Sequence, residues 1–127
     1  DRAAELVRLI GLDAVADKRV ADLPFGTQKR VELARALASD PKLLLLDEPA
    51  AGLNHEEVEG LMDLIRRLRD DLSLTVMLVE HHMNLVMRVS DQVVALNFGR
   101  KIADGTPEVV RTDAAVIEAY LGTEQAA

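Results

Sequence analysis

Asp47 and Glu48 stand side by side at the end of the run Leu43-Leu44-Leu45-Leu46, with Pro49 directly behind them. An acidic pair by itself is an ordinary solvated turn. Four apolar residues before it and a proline after it describe instead a buried strand that delivers two carboxylates to its C-terminal end. That end is where α/β sheets place their ligands. Beside a phosphate, such carboxylates suit two tasks: one can help hold Mg2+, and the other can orient and deprotonate a water. A second apolar run, Leu74–Glu80, leads to His81 at the same sheet edge, within plausible reach of the same chemistry. The pair His81-His82 does not read as a metal site, because adjacent side chains splay apart and no third ligand is evident. His55 and His82 read as plain surface residues.

The bulk composition narrows the class of protein that could carry these groups. The chain has 127 residues, 49% hydrophobic, which is enough for a real core and suits one domain or a piece of a larger one. Aromatics are only 2% and the formal net charge is −7, so neither base stacking nor a basic phosphate-binding face is available for nucleic acid. Cysteine is absent, which removes disulfides and thiolate metal sites from consideration. The longest apolar runs fall far short of the ~20 residues that span a bilayer, and no signal-peptide pattern opens the chain. Asp1 to Glu5 already reads like the inside of a helix, so a fragment is expected.

The elements that must position the carboxylates follow from periodicity and caps. A short helix over 3–10 stops at Gly11, and 11–24 reads as a loop with a short helix around Asp13–Asp17. An amphipathic helix runs from Thr27 to Ser39 and ends at Asp40-Pro41. Leu43–Asp47 shows no polar alternation and so reads as a strand covered on both faces. Asn54 opens a long helix with Glu57 as its capping-box partner, and Val58, Leu61, Met62, Ile65 and Leu68 form its apolar stripe. The arginines at 66, 67 and 69 lie off that stripe, as a solvated face. Leu74–Glu80 is the second strand, a helix over Met83–Val89 follows, and Gln92–Asn97 is the third strand. Asn97-Phe98-Gly99-Arg100 has turn chemistry, so Lys101–Asp104 is expected to pair back as a hairpin. Thr106-Pro107-Glu108 opens a helix, and a last helix covers Ala114–Leu121. Strands alternating with helices predict an α/β fold, half of a doubly wound domain: a mostly parallel sheet with a hairpin at its edge.

The stretch from Leu23 through Asn54, "LPFGTQKRVELARALASDPKLLLLDEPAAGLN", resembles the ATP-binding cassette (ABC) family from signature motif through Walker B to D-loop. The resemblance continues through "VMLVEHH", similar to the switch-histidine strand, and "SDQVVALNFGRKIADGTPEVV" and "VIEAYLG" resemble branched-chain amino acid uptake ATPases. It implies a partial P-loop (RecA-like) three-layer fold, with the end of the helical subdomain in 1–40, the Walker B to hairpin sheet region in 41–105, and C-terminal helices in 106–127. It implies ATP and Mg2+ as ligands, Asp47 on the metal side, Glu48 as general base and His81 as sensor of the γ-phosphate. Gly26, Thr27 and Gln28 would close over the nucleotide of a second ATPase subunit, and Gly52, Leu53 and Asn54 would form the D-loop. Permease subunits would be the membrane partners, with no direct membrane insertion and no nucleic acid. The location implied is cytoplasmic, at the inner face of the cell membrane.

The signature stretch departs from the usual Leu-Ser-Gly-Gly-Gln, with Pro24 for serine, Phe25 for a glycine and Thr27 for glutamine. The serine hydroxyl is thereby lost and Pro24 offers no N–H, which leaves Gly26, the N–H groups after it, and the Thr27 hydroxyl. Asn54 stands where aspartate is common, and His82 likewise. The phosphate-binding pattern Gly-x4-Gly-Lys-Ser/Thr is found nowhere in the chain. The chain is therefore expected to be incompetent alone. Two rival readings are a non-catalytic interaction or dimerisation module derived from such an ATPase, and a fragment of a soluble ABC ATPase outside transport.

Overall fold

The leucine run forms the strand β1 (Leu43–Asp47), which pairs in parallel with β2 (Thr75–Val79) so that Leu44 lies opposite Val76 and Asp47 opposite Val79. The computed structural model describes residues 1–122, and the chain divides into two units, Asp1–Val79 and a second that begins at Glu80.

Three helices belong to the first unit. α1 (Arg2–Ile10) starts where the Asp1 carboxylate accepts from the Ala3 N–H, and stops at Gly11 in the left-handed region at φ 78°. Only a residue without a Cβ enters that region cheaply, so the expected glycine cap is in place. Two short 3-10 turns, Asp13–Val15 and Val20–Asp22, occupy the expected loop. α2 covers Phe25–Leu37 rather than 27–39. Pro24 sets this boundary, since its ring disfavours helix for the residue before it and a helix can begin directly after it. Asp40, at φ 51°, and the following Pro41 end it. Arg2 bonds to the Leu37 carbonyl and pairs with Asp40, tying the start of α1 to the end of α2. α3 (His55–Leu72) carries the anticipated capping box.

Leu6, Ile10, Leu12, Leu33, Leu37, Leu44, Leu64, Leu68 and Leu74 make the core of this unit. Leu64, outside the expected stripe, is fully buried, and Val58, inside it, is only half-buried.

The strand pair corrects one expectation. Leu44 is buried, with Leu46 and Val76 packed against the same core, but Leu43 and Leu45 are 51% and 65% exposed and Met77 and Val79 are 59% and 52% exposed. Side chains alternate across a strand, so these four share one uncovered apolar face. The unbroken leucine run could not reveal this, because both of its faces are equally apolar.

In the second unit α4 (Met83–Val89) precedes β3 (Val93–Asn97), which pairs antiparallel with β4 (Arg100–Gly105). Phe98 and Gly99 both take positive φ, 49° and 76°, as a two-residue hairpin turn of the type matched to strand twist requires. Among the described residues the strands therefore form two separate two-stranded sheets, not one sheet with the hairpin at its edge. α5 (Pro107–Arg111) has Thr106 as N-cap, and the final helix is α6 (Ala114–Val116) continuing as a π-helical turn, Ile117–Leu121. The Tyr120 hydroxyl donates to the Leu96 carbonyl, anchoring that turn to β3. The end of the expected region 106–127 lies outside the described residues.

Two outcomes are expected. Leu64→Ala should lower the stability of the first unit by about 2–5 kcal/mol, while Leu45→Ala on the uncovered face should cost under about 1 kcal/mol. Equal losses in denaturant titrations would contradict the one-sided burial. In the hairpin, Asp104 accepts from the Gln92 amide at 2.8 Å and from Lys101 at 3.3 Å, and these two bonds hold its carboxyl below the usual aspartate range. A folded pKa below the unfolded value contributes stability that is present above the unfolded pKa and lost as pH falls through the folded one. The pairing should thus hold at neutral pH and weaken only in acid, below about pH 4. Gln92→Ala should move the Asp104 titration upward when followed by NMR.

Candidate functional site

Asp47 closes β1 and is exposed, on the same face as Leu43 and Leu45 by strand alternation. Glu48 then breaks the alternation. It sits at φ 46°, a left-handed conformation that costs a residue with a Cβ roughly 1–2 kcal/mol. Two bonds hold it there: its N–H donates to the Val79 carbonyl at 2.7 Å, and its carbonyl accepts from the Ala51 N–H at 3.1 Å. The first extends the parallel ladder by one rung past Asp47, and the second closes the turn that starts α3. Strained non-glycine residues cluster at functional sites, and nothing in the residue type announced this one.

The signature residues lie in the first turn of α2 and not in a loop ahead of it. Pro24, at the N-cap, has no side-chain oxygen to offer, so the N–H groups of Phe25, Gly26 and Thr27 have no acceptor within the helix. Gln28 N–H bonds to the Pro24 carbonyl at 3.0 Å, and its side-chain amide turns back to the Leu23 carbonyl, also at 3.0 Å. The Gln28 side chain therefore braces this stretch.

Two close approaches join the first turn of α2 to the segment that leads into α3. Gly52 adopts φ 79°, and a Cβ built there would fall 2.9 Å from the Phe25 ring. A Cβ on Gly26 would fall 1.8 Å from a Glu57 carboxylate oxygen. Glu57 is the capping residue of α3: its N–H donates to Asn54 Oδ1 at 2.8 Å and its Oε1 accepts from the Asn54 N–H at 3.2 Å. Asn54 is thus the N-cap it was expected to be, and Leu53 is half-buried beside it. Lys29 Nζ stands 5.3 Å from the Phe25 ring centroid, a cation–π contact. Phe25, which looked like a mere departure from the signature pattern, touches Gly52. A cavity of about 340 Å³ opens between Pro24, Gly26, Thr27, Lys29, Arg30 and Glu57. The Arg30 guanidinium also donates to the Ile10 carbonyl at 3.3 Å.

His81 belongs to the second unit, where it is exposed and stacks on His82 with ring centroids 5.0 Å apart. Its N–H donates to Glu80 Oε1 at 3.0 Å. The sequence reading passed over Glu80 as the last residue of a strand. It also expected the histidines to splay, which the stacking contradicts.

The carboxylates at a strand end match Mg2+ in kind, since that ion takes hard oxygen ligands and uses one or two carboxylates beside phosphate oxygens. Asp47, exposed at the end of β1, is a carboxylate of this kind.

A pair of parallel strands packed with helices, one strand ending in Asp47, describes an α/β class of protein. Comparison with known proteins agrees: residues 1–51 match the ABC transporter family and residues 100–126 the branched-chain amino acid ATP-binding cassette transporter family. The chain belongs to the ATP-binding cassette family. It is 46% identical over 122 residues to the high-affinity branched-chain amino acid transport ATP-binding protein LivG of Escherichia coli, covering 96% of this chain and 48% of that protein. Against BraF of Pseudomonas aeruginosa, of the same description, it is 46% identical over 120 residues, covering 94% and 47%. In structure it is similar to MJ1267, an ATP-binding cassette of an ABC transporter in its ADP conformation, with a TM-score of 0.85, 27% identity, and 95% and 49% of the two chains covered. The chain thus spans about half the length of the curated relatives it matches.

Gly52→Ala should destabilise the first unit by about 2–4 kcal/mol, through left-handed strain of about 1–2 kcal/mol plus collision with the Phe25 ring. In a Phe25→Ala background the loss should shrink to the backbone part alone. A double-mutant cycle by chemical denaturation that showed no coupling would dismiss the contact.

Proposed function

We propose that this chain is the C-terminal part of an ATP-hydrolysing subunit that powers ABC-type uptake of branched-chain or similar amino acids. The observation that carries the reading is the pair Asp47–Glu48, with Glu48 locked in a left-handed turn by the Val79 carbonyl at the end of a parallel strand. A residue held in a costly conformation at a ligand-facing edge has a site to serve. The relatives named for branched-chain amino acid transport support the cargo class.

In this reading Asp47 helps hold Mg2+, which supplies neutralisation of phosphate charge when bound. Glu48 orients the attacking water and accepts its proton. His81 donates a hydrogen bond to the γ-phosphate. The amides of Gly26 and Thr27, at the positive end of α2, close over ATP held by a second ATPase subunit, and Gln28 keeps that turn in shape. Gly52, Leu53 and Asn54 form the D-loop, whose contact with Phe25 links it to the signature turn. Permease subunits are the membrane partners, and the assembly sits at the cytoplasmic face of the membrane. No described helix is long and apolar enough to cross a membrane.

The uncovered face of Leu43, Leu45, Met77 and Val79 supports the view that this chain alone is not competent. Asp47 opens on that same face, so further chain covering it would also bring the phosphate grip that is absent from these residues.

The test uses the 127-residue chain and a longer protein that includes a phosphate-binding loop. The longer protein should hydrolyse ATP, and its Glu48→Gln variant should bind ATP with turnover reduced by about 10²-fold or more. The short chain should bind ATP weakly and turn over none. Unchanged turnover in the variant would remove Glu48 from its role, and ordinary ATPase activity of the short chain would refute its incompleteness.

A further inference from the structure

The turn that joins β2 to α4 holds a second donor cluster with chemistry unlike that of Asp47. One ligand atom each from Glu80, His81 and His82 lies within 4.8 Å of the others. The Glu80 side chain is fully withdrawn from solvent, whereas the His81 side chain is 63% exposed. Glu80 Oε1 accepts from the His81 N–H at 3.0 Å and lies 3.6 Å from His81 Nδ1. The two imidazoles stack with an interplanar angle of 27°.

We propose that Glu80, His81 and His82 form a binding site for a borderline divalent transition-metal ion of the Zn2+ or Cu2+ class. Two imidazoles and one carboxylate are the donor set of open zinc sites, which keep a further position for water or an anionic oxygen. The same set disfavours Mg2+, which takes oxygen ligands almost exclusively. Metal–ligand bonds of about 2.0–2.1 Å place tetrahedral donors about 3.4 Å apart, so closing from at most 4.8 Å asks the two imidazole donors to move by roughly 1–1.5 Å. The exposed rings can make that movement by rotation about their side-chain bonds. The carboxylate stays in place, fixed by the backbone N–H it accepts, and gives the site its rigid corner. A carboxylate out of water also gains more from a cation than one in solvent. His82 is the residue that completes the set. The site shares His81 with the proposed contact to the γ-phosphate but does not rest on that reading.

The experiment is a calorimetric titration of the untagged 127-residue chain with Zn2+, repeated with Co2+ to read the visible absorption of a nitrogen- and oxygen-ligated ion. One ion should bind per chain. His82→Ala should weaken binding roughly tenfold or more, and Glu80→Gln by a comparable factor. His55→Ala serves as the control, because His55 pairs with Glu59 at 3.9 Å and offers the other histidine–carboxylate pair. It should leave affinity unchanged. His82 is exposed and its loss does not threaten folding, so the His82→Ala result stands whatever happens to the buried Glu80 variant. Binding that survives His82→Ala, binding lost on His55→Ala, or no binding at micromolar Zn2+ would overturn the proposal.

Discussion

The hydrogen bond from the Glu48 N–H to the Val79 carbonyl, at 2.7 Å, decides how the chemistry-bearing end of this protein is built. It is the last rung of the parallel ladder and lies one residue beyond the strand proper. Making it forces Glu48 into the left-handed region, which ends β1 abruptly and turns the chain through Pro49 and Ala50 towards α3. Asp47 and Glu48 are neighbours in sequence, yet the turn gives them different surroundings: Asp47 keeps the strand's alternation and Glu48 leaves it. In a continuing strand the two adjacent carboxylates would face opposite sides of the sheet, and the turn replaces that arrangement.

A second level of order depends on glycine. The turn before α3 approaches the start of α2 so closely that Gly52 meets the Phe25 ring and Gly26 meets the Glu57 carboxylate. Each contact has a partner with another duty: Glu57 caps α3 through Asn54, and Phe25 opens α2 beneath Lys29. A disturbance at one of the two turns is therefore felt at the other through packing at van der Waals range, without any long-range mechanism. Phe25 takes the place of a flexible glycine in the usual pattern, and its ring supplies the contact that a glycine could not.

The elements most legible in the sequence were those with local causes. The glycine stop of α1, the capping box of α3, the bounds of β1 and α4, and the hairpin at Asn97–Arg100 all follow from a cap, a period or a turn within a few residues. The start of α2 was misjudged by two residues because the motif reading outweighed Pro24, whose local rule was the better guide. The candidate site was legible as a set of residues, since Asp47, Glu48, Gly26 and His81 stand out by type and setting. Its geometry was not. The strain at Glu48 and the pairing of Phe25 with Gly52 depend on contacts between segments about 30 residues apart, which no local pattern encodes.

By itself the sequence determined the class of this protein: strands alternating with helices, two carboxylates at a strand end, and a capped helix start at Asn54. These depend on the order of residue types along the chain, and local stereochemistry converts that order into elements. Tertiary structure alone decided which face of the leucine strand is covered, how Glu48 is turned out of the sheet, and that Phe25 packs on Gly52. Each of those is a matter of which distant or buried group comes within bonding distance. An unbroken leucine run looks the same from both sides until one side meets Leu64 and Leu68 and the other stays largely exposed among the described residues.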